Sequence, residues 1–133
     1  MTQEPTAPDL RDQMAMAALT VADVLNRAAD LIEPEGAWMQ DNYTRNLQSF
    51  CPLGAIAHVA GVGCTHASQH PASFALSRYL DPSDPSPGRV VARWNDAPER
   101  TQAEVVAALR QAAADAMLAQ RALGTPNTPE QSK

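Results

Sequence analysis

Residues 101–123 read TQAEVVAALRQAAADAMLAQRAL, and this stretch decides the fold. It opens with a capping box, in which the Thr101 hydroxyl and the Glu104 carboxylate each accept a hydrogen bond from a backbone N–H that the helix leaves free. From Val105 onward, apolar residues recur at spacings of three and four, and Gly124 is a typical helix stop. The stretch therefore predicts a long amphipathic helix whose apolar side packs in the core.

A second long helix is expected within residues 10–33. Thr20 followed by Asp23 indicates a capped start at about residue 20, whereas a start near Asp9 would add Met14, Ala17 and Ala18 to the same helix. Both starts stay open at this point, and Pro34 and Gly36 end the helix in either case. Its apolar stripe has helical spacing and consists of Val21, Val24, Leu25, Ala28, Leu31 and Ile32.

Short elements are expected between the two long helices. Residues 38–50 show no helical period but contain turn-prone Asp-Asn and Arg-Asn pairs, so a short β-hairpin is a candidate structure there. Short helices are predicted over residues 52–60 and 71–80, since each begins with a proline, which suits the first helical position. Gly54 would let another backbone approach closely. Residues 81–88, DPSDPSPG, predict an exposed loop.

These patterns predict a mainly α fold, a small orthogonal or antiparallel bundle of four to five helices. The two long helices are expected to pack antiparallel, with the middle of the chain folded across one side. The chain has 133 residues, the usual size of one domain, which we assign to residues 10–123. Residues 1–9 and 124–133 are rich in Pro, Thr and Glu and are predicted to be disordered tails.

Composition restricts the partners and the compartment. The formal net charge is −5, with scattered cations, which argues against a dedicated nucleic-acid surface. No segment approaches the roughly 18 uninterrupted apolar residues of a membrane span. The first residues lack the cationic lead and apolar run of a secretory signal, so we expect a cytoplasmic protein with reduced thiols. We expect no cofactor.

All cysteines and histidines fall within residues 51–70, which raises the question of a metal site. Cys64, His66 and His70 are the candidate ligands, because thiolate and imidazole bind zinc. The spacing is poor for this purpose, since Cys64-x-His66 is too close for a standard knuckle and no C-x-x-C is present. The prediction is therefore that no metal binds.

Cys51 is a candidate nucleophile. It immediately precedes the predicted helix over residues 52–60 and would occupy its N-cap, where the helix dipole would lower the pKa of the thiol. Catalysis would further need a base, for which His66 or His70 would serve, and an orienting group, supplied by Asn95 or Asp96. The alternative is that Cys51 packs inward as a small apolar side chain.

The segment Trp94-Asn95-Asp96 is the other candidate site. The favoured interpretation is a packed tryptophan followed by a turn that leads into the last helix. The functional alternative is a polar edge beside an aromatic wall of a small-ligand pocket, with Trp38 as the opposite wall. If Cys51 faces this segment, the ligand-binding residues would be Trp38, Cys51, Trp94, Asn95 and Asp96.

Several segments look familiar when taken together. They are Ala28-Ala29-Asp30-Leu31-Ile32, Trp38-x-Gln40, Cys51-Pro52-Leu53-Gly54-Ala55-Ile56, and Trp94-Asn95-Asp96 through Arg100-Thr101-x-x-Glu104-Val105-Val106. The chain resembles, over roughly residues 20–118, a family of small proteins of unknown function from GC-rich bacteria and their phages. The resemblance implies a stand-alone domain of this size. It implies no activity and no assigned site residue, and residues 62–71 lie outside the matching segments.

Three functional hypotheses follow from these observations. The leading one is a non-enzymatic accessory or regulatory protein, of bacterial or phage origin, that binds a protein partner or a small ligand. Its support is the low aromatic content, the acidic charge and the lack of a catalytic motif. The second hypothesis is a thiol hydrolase or transferase that depends on Cys51. The third is a structural homodimer that associates through the last helix.

Overall fold

The computed structural model describes residues 19–124. The predicted mainly α bundle with a short hairpin is confirmed. The tails predicted over residues 1–9 and 124–133 lie outside the described range, apart from Gly124, which ends the last helix. Among residues 19–124, none of the helices combines the length and the apolar character that a membrane span requires. In chain order the elements are α1 (Val21–Ile32), β1 (Thr44–Arg45), β2 (Ser49–Phe50), α2 (Pro52–Ala60), α3 (Cys64–Ala67), α4 (Pro71–Leu80), α5 (Pro87–Asn95) and α6 (Gln102–Gly124).

The start of α1 is fixed by a capping box. Thr20 has extended backbone angles, and its hydroxyl accepts a hydrogen bond from the Asp23 N–H at 3.0 Å. The Asp23 carboxylate accepts one from the Thr20 N–H at 3.2 Å. Since an extended residue interrupts the helical backbone, α1 begins at Val21, and the alternative of one continuous helix from Asp9 is wrong. Residues 9–18 themselves lie outside the described range.

Helices α1 and α6 pack antiparallel, as the sequence predicts. The Gln102 side chain at the start of α6 donates to the carbonyls of Ile32 and Pro34 at 2.6 and 2.7 Å, which occupies acceptors at the end of α1. Arg110, two turns further along α6, pairs with Asp30 at 2.8 Å. The seam between the two helices is apolar and fully buried, with Leu25, Ala28, Ala29, Ile32, Val105, Leu109 and Ala112 as members.

The hairpin brings residues 38–43 beside the start of α2. Strands β1 and β2 pair antiparallel, and the turn between them holds Asn46 and Leu47 at φ values of 55° and 59°. Phe50 also forms a parallel bridge with Trp38. Gly54 is required on the other side of this junction, because a Cβ there would collide with the backbone carbonyl of Tyr43. The predicted close approach at Gly54 is therefore present.

Two short helices were not predicted from the sequence. Residues 81–88 were expected to be a loop throughout, yet α5 begins at Pro87 and continues through the Trp94-Asn95 pair. The local signals were present, since Pro87 suits a first helical position and Val90, Val91 and Trp94 follow helical spacing. The one-turn helix α3 was likewise absent from the elements predicted between residues 60 and 71. Helix α5 matters most for function, because its last residues form one wall of the site.

Candidate functional site

A pocket of about 320 Å³ lies where residues 41–43, the start of α2 and the end of α5 meet. Its volume is at the lower end of the range for small-ligand sites. The lining combines apolar side chains with a polar edge. The apolar part includes Leu53, Val91 and Ala92, and the polar edge includes Asp41, Asn42, Asn95 and Asp96; Cys51 lies at the start of α2.

Asn95 is the buried polar residue that joins the two sides of the pocket, with only 1% of its surface exposed. Its Oδ1 accepts a hydrogen bond from Trp38 Nε1 at 2.7 Å. Its Nδ2 donates to the Met39 carbonyl at 3.0 Å and to Asp96 Oδ1 at 3.2 Å. Because both ends of the amide are used, the side chain holds residues 38–39 against the end of α5 in one orientation.

Gln40 and Asp41 add a second set of bonds across the same junction. Gln40 Nε2 donates to the carbonyls of Asn95 and Ala97 at 2.8 and 2.9 Å, which satisfies acceptors that the helix end leaves free. The Asp41 N–H donates to Asp96 Oδ1 at 2.8 Å. Gln40 was not among the site residues predicted from the sequence. The only signal was its place in the Trp38-x-Gln40 motif, since its partners lie more than 50 residues away.

Cys51 occupies the N-cap of α2, as predicted, but its thiol is not activated. The Sγ accepts a hydrogen bond from the Gly54 N–H at 3.4 Å, and the residue is 7% exposed. Burial raises the pKa of the Cys51 thiol to about 11, against the lowering effect of the Gly54 and Leu53 N–H groups, and nearby Asp96 raises it further. The predicted lowering of this pKa is therefore wrong, because desolvation outweighs the helix end.

No imidazole is hydrogen-bonded to Cys51 among the contacts of residues 19–124. His70 caps α4 instead, with Nδ1 accepting from the Ala72 N–H at 3.0 Å, and partial burial lowers its pKa. His66 is exposed on α3, and His58 packs its ring against Phe50 with the centroids 5.5 Å apart. The base that the nucleophile hypothesis needs is thus not in place at Cys51.

The metal candidates do not converge either. Within residues 19–124, no group of three or more His, Cys, Asp or Glu side chains is placed to hold a metal ion. Cys64 is half-buried at the first position of α3, and both it and Cys51 are free thiols. His66 and His70 have the separate environments described above. Cys64, His66 and His70 therefore do not form a common metal site within the described residues.

The two tryptophans lie outside the pocket lining, so the prediction that they form its opposite walls is wrong. The guanidinium of Arg100 lies 4.1 Å from the Trp94 ring centre, and Arg100 Nε donates to the Trp94 carbonyl at 2.8 Å. Trp38 is connected to the pocket lining by the hydrogen bond that its indole N–H donates to Asn95. Tyr43 is the aromatic residue that lines the pocket. Of the five residues predicted to bind a ligand, Cys51, Asn95 and Asp96 come together there.

A comparison with protein-family models gives one match, to a family described as "Family of unknown function (DUF6197)", over residues 16–115. The chain belongs to this family. The match includes every element that builds the pocket, so the pocket lies within the part of the chain that defines membership. Among curated proteins and among solved structures, no match was found. The resemblance inferred from the sequence motifs is thereby confirmed at the level of the family.

This family member also exposes apolar side chains on α4 and on the second half of α6. Phe74 is 46% exposed, Met117 43% and Leu118 62%. A shallow groove between these helices is lined partly by Phe74, Ala75 and Ala116. Such a surface is compatible with association, and the homodimer through α6 stays a prediction.

Proposed function

We propose that this domain is a non-enzymatic binding protein whose ligand is a small molecule held in the pocket between residues 41–43, α2 and α5. The single observation that carries the proposal is the convergence of Cys51, Asn95 and Asp96 on one concave site. Cys51 caps the start of α2, and Asn95 and Asp96 lie at the end of α5. A site with apolar walls and a few oriented polar groups is typical of small-ligand binding.

The polar edge of the pocket is held in place before any ligand arrives. Asp96 Oδ1 accepts hydrogen bonds from the Asp41 N–H and from Asn95 Nδ2, so the carboxylate has a defined direction. Asn95 is itself fixed by Trp38 and Met39. A preorganised site loses less conformational entropy on binding, which supports ligand recognition as its role.

The same geometry weakens the case for a thiol enzyme. A nucleophilic cysteine needs a low pKa or an adjacent base, whereas burial raises the pKa of Cys51 to about 11. The Sγ is also used as the N-cap acceptor of α2. We therefore assign Cys51 to the pocket wall, and the proposed role of the protein is that of a cytoplasmic accessory or regulatory factor of bacterial or phage origin.

The test is a protein-observed NMR screen with a library of small fragments. We expect the hits to shift the amide signals of Leu53, Ala92 and Asp96 together, because these residues line one cavity. The variant that tests the location of binding is Ala92→Leu, because its larger side chain fills the pocket from α5. Alanine and leucine have similar helix propensities, and Ala92 is half-buried at the pocket, so the helix should persist.

The proposal predicts that Ala92→Leu removes these shifts while the remainder of the amide spectrum keeps the wild-type dispersion. Two results would refute it. One is a screen in which no fragment moves the pocket amides. The other is a set of hits that bind the Ala92→Leu variant as tightly as the wild-type protein.

A further inference from the structure

The charged side chains that line the pocket are all acidic. They are Asp41 and Asp96, and no arginine or lysine is among the described residues that line it. The carboxylates lie at one edge, and Leu53, Val91 and Ala92 provide apolar surface. A ligand that matches this distribution has one cationic end and a short apolar body.

Asp96 is oriented so that one of its oxygens remains available. Its Oδ1 already accepts from the Asp41 N–H at 2.8 Å and from Asn95 Nδ2 at 3.2 Å. Its Oδ2 has no hydrogen bond or ion pair within residues 19–124. A carboxylate held at one oxygen and free at the other is suited to receive a charge-assisted hydrogen bond from a bound donor.

The N-terminus of α2 does not offset the preference of the two carboxylates for a cationic ligand. The N–H groups at a helix start would ordinarily favour an anion. Here Pro52 has no N–H, and the Gly54 N–H already donates to Cys51 Sγ. Within residues 19–124 the Cys51 thiol donates no hydrogen bond, and Cys51, 7% exposed, lines the pocket. The thiol therefore faces the pocket as a weak donor and a soft apolar surface, and it carries no charge at neutral pH.

We propose that the pocket binds a small organic cation, a protonated primary amine with a short apolar body, whose ammonium group contacts Asp96 and is attracted by Asp41. This inference rests on the proposed binding function and names its ligand class. The pocket volume of about 320 Å³ is the share of liquid volume of roughly ten water molecules, so it leaves room for an amine with a short apolar body. A primary amine with an ordinary pKa of about 10.4 is fully protonated at neutral pH.

The experiment uses three ligands that share one apolar body: isoamylammonium, isoamyl alcohol and isovalerate. Each is titrated into the full chain at neutral pH and low ionic strength, and the dissociation constant is taken from the amide shifts of Ala92 and Asp96. We expect the ammonium compound to bind about fivefold tighter than the alcohol, because one half-exposed ion pair contributes an affinity difference of that order. Isovalerate should bind weakest, because its carboxylate is repelled by Asp41 and Asp96. Added salt should reduce the difference.

Two variants assign the effect to the carboxylates. Asp96→Asn keeps the oxygen that accepts from the Asp41 N–H, so the fold should persist while the preference for the cation disappears. Asp41→Asn should reduce the preference less, and asparagine tolerates the positive φ of 69° at this position. Asp115→Asn is the control, because Asp115 lies on α6 outside the pocket lining and should leave all three constants unchanged.

The outcomes separate this inference from the function on which it rests. If the alcohol or isovalerate binds as tightly as the ammonium compound, or if Asp96→Asn keeps the preference, the ligand class is overturned while the pocket stands. The same holds if none of the three binds although the fragment screen finds other ligands there. If neither the screen nor the three ligands move the pocket amides, the proposed function fails as well.

Discussion

Replacement of Asn95 by alanine should destabilise the domain more than any comparable change of a polar side chain. The side chain is 1% exposed and makes three hydrogen bonds, to Trp38, Met39 and Asp96. After Asn95→Ala, the Trp38 indole N–H and the Met39 carbonyl lose their partners at a half-buried junction. Each unsatisfied group costs about 1–3 kcal/mol. Because water can partly reach both groups, we expect a total loss of about 2–4 kcal/mol in the free energy of unfolding.

The assay is urea unfolding followed by far-UV circular dichroism, since tryptophan fluorescence would respond directly to the change at Trp38. For a domain of residues 10–123, a loss of about 3 kcal/mol corresponds to a fall in Tm of roughly 12 °C. Asn26→Ala is the matched control. Asn26 lies in the middle of α1 and makes no side-chain hydrogen bond within residues 19–124, so we expect a change of less than about 0.5 kcal/mol.

A second variant separates hydrogen bonding from side-chain volume. Asn95→Asp keeps the shape of the side chain and the acceptor for Trp38, but replaces the donor to Met39 with a second carboxylate oxygen beside Asp96. We expect this variant to be destabilised at neutral pH despite its unchanged volume. The reasoning is refuted if Asn95→Ala loses no more stability than Asn26→Ala, or if Asn95→Asp is as stable as the wild-type protein.

Three further predictions concern the residues around the site. Gly54→Ala should prevent native folding because the new Cβ collides with the Tyr43 carbonyl. Gly63→Ala should keep the circular dichroism spectrum of the wild-type protein, because its Cβ would meet the His66 side chain at an ordinary contact distance of 3.5 Å. Alkylation of Cys51 by iodoacetamide should be slower than that of free cysteine at neutral pH, because burial raises the pKa of its thiol to about 11. The alkylation rate should rise about tenfold per pH unit towards that pKa. A Cys51 that reacts at the free-thiol rate at neutral pH would contradict the burial argument. Partial burial lowers the pKa of His70 from 6.5 on folding, so its contribution to stability is present above 6.5 and is lost as pH falls through the lower folded value. Urea unfolding against pH should show this acid loss in the wild-type protein and a smaller one in His70→Asn, and identical pH profiles would contradict the neutral cap.

Local signals were sufficient to predict most of the helices. The capping box at the start of α6 is present, with the Thr101 N–H donating to Glu104 at 2.9 Å and the Glu104 N–H donating to Thr101 at 3.2 Å. The helices that open at Pro52 and Pro71 have the predicted bounds. Such signals act over three or four residues and can therefore be read from one sequence.

The pocket could be predicted only in part, because its geometry depends on distant contacts. Trp38 and Asn95 are 57 residues apart, and nothing local to either residue specifies the bond between them. Helix α5 was missed because its apolar pattern spans only about two turns after a proline-rich loop. The pKa of Cys51 was predicted in the wrong direction because the N-cap position can be read from the sequence, whereas the degree of burial depends on the whole fold.

The most direct measurement is a crystal structure of the full chain with the fragment that binds most tightly in the NMR screen. We predict electron density for the fragment between Ala92 on α5 and Cys51 at the start of α2, with its polar group at Asp96. Density in the groove between α4 and α6, with the pocket at residues 41–43 filled by water alone, would contradict the assignment of this site.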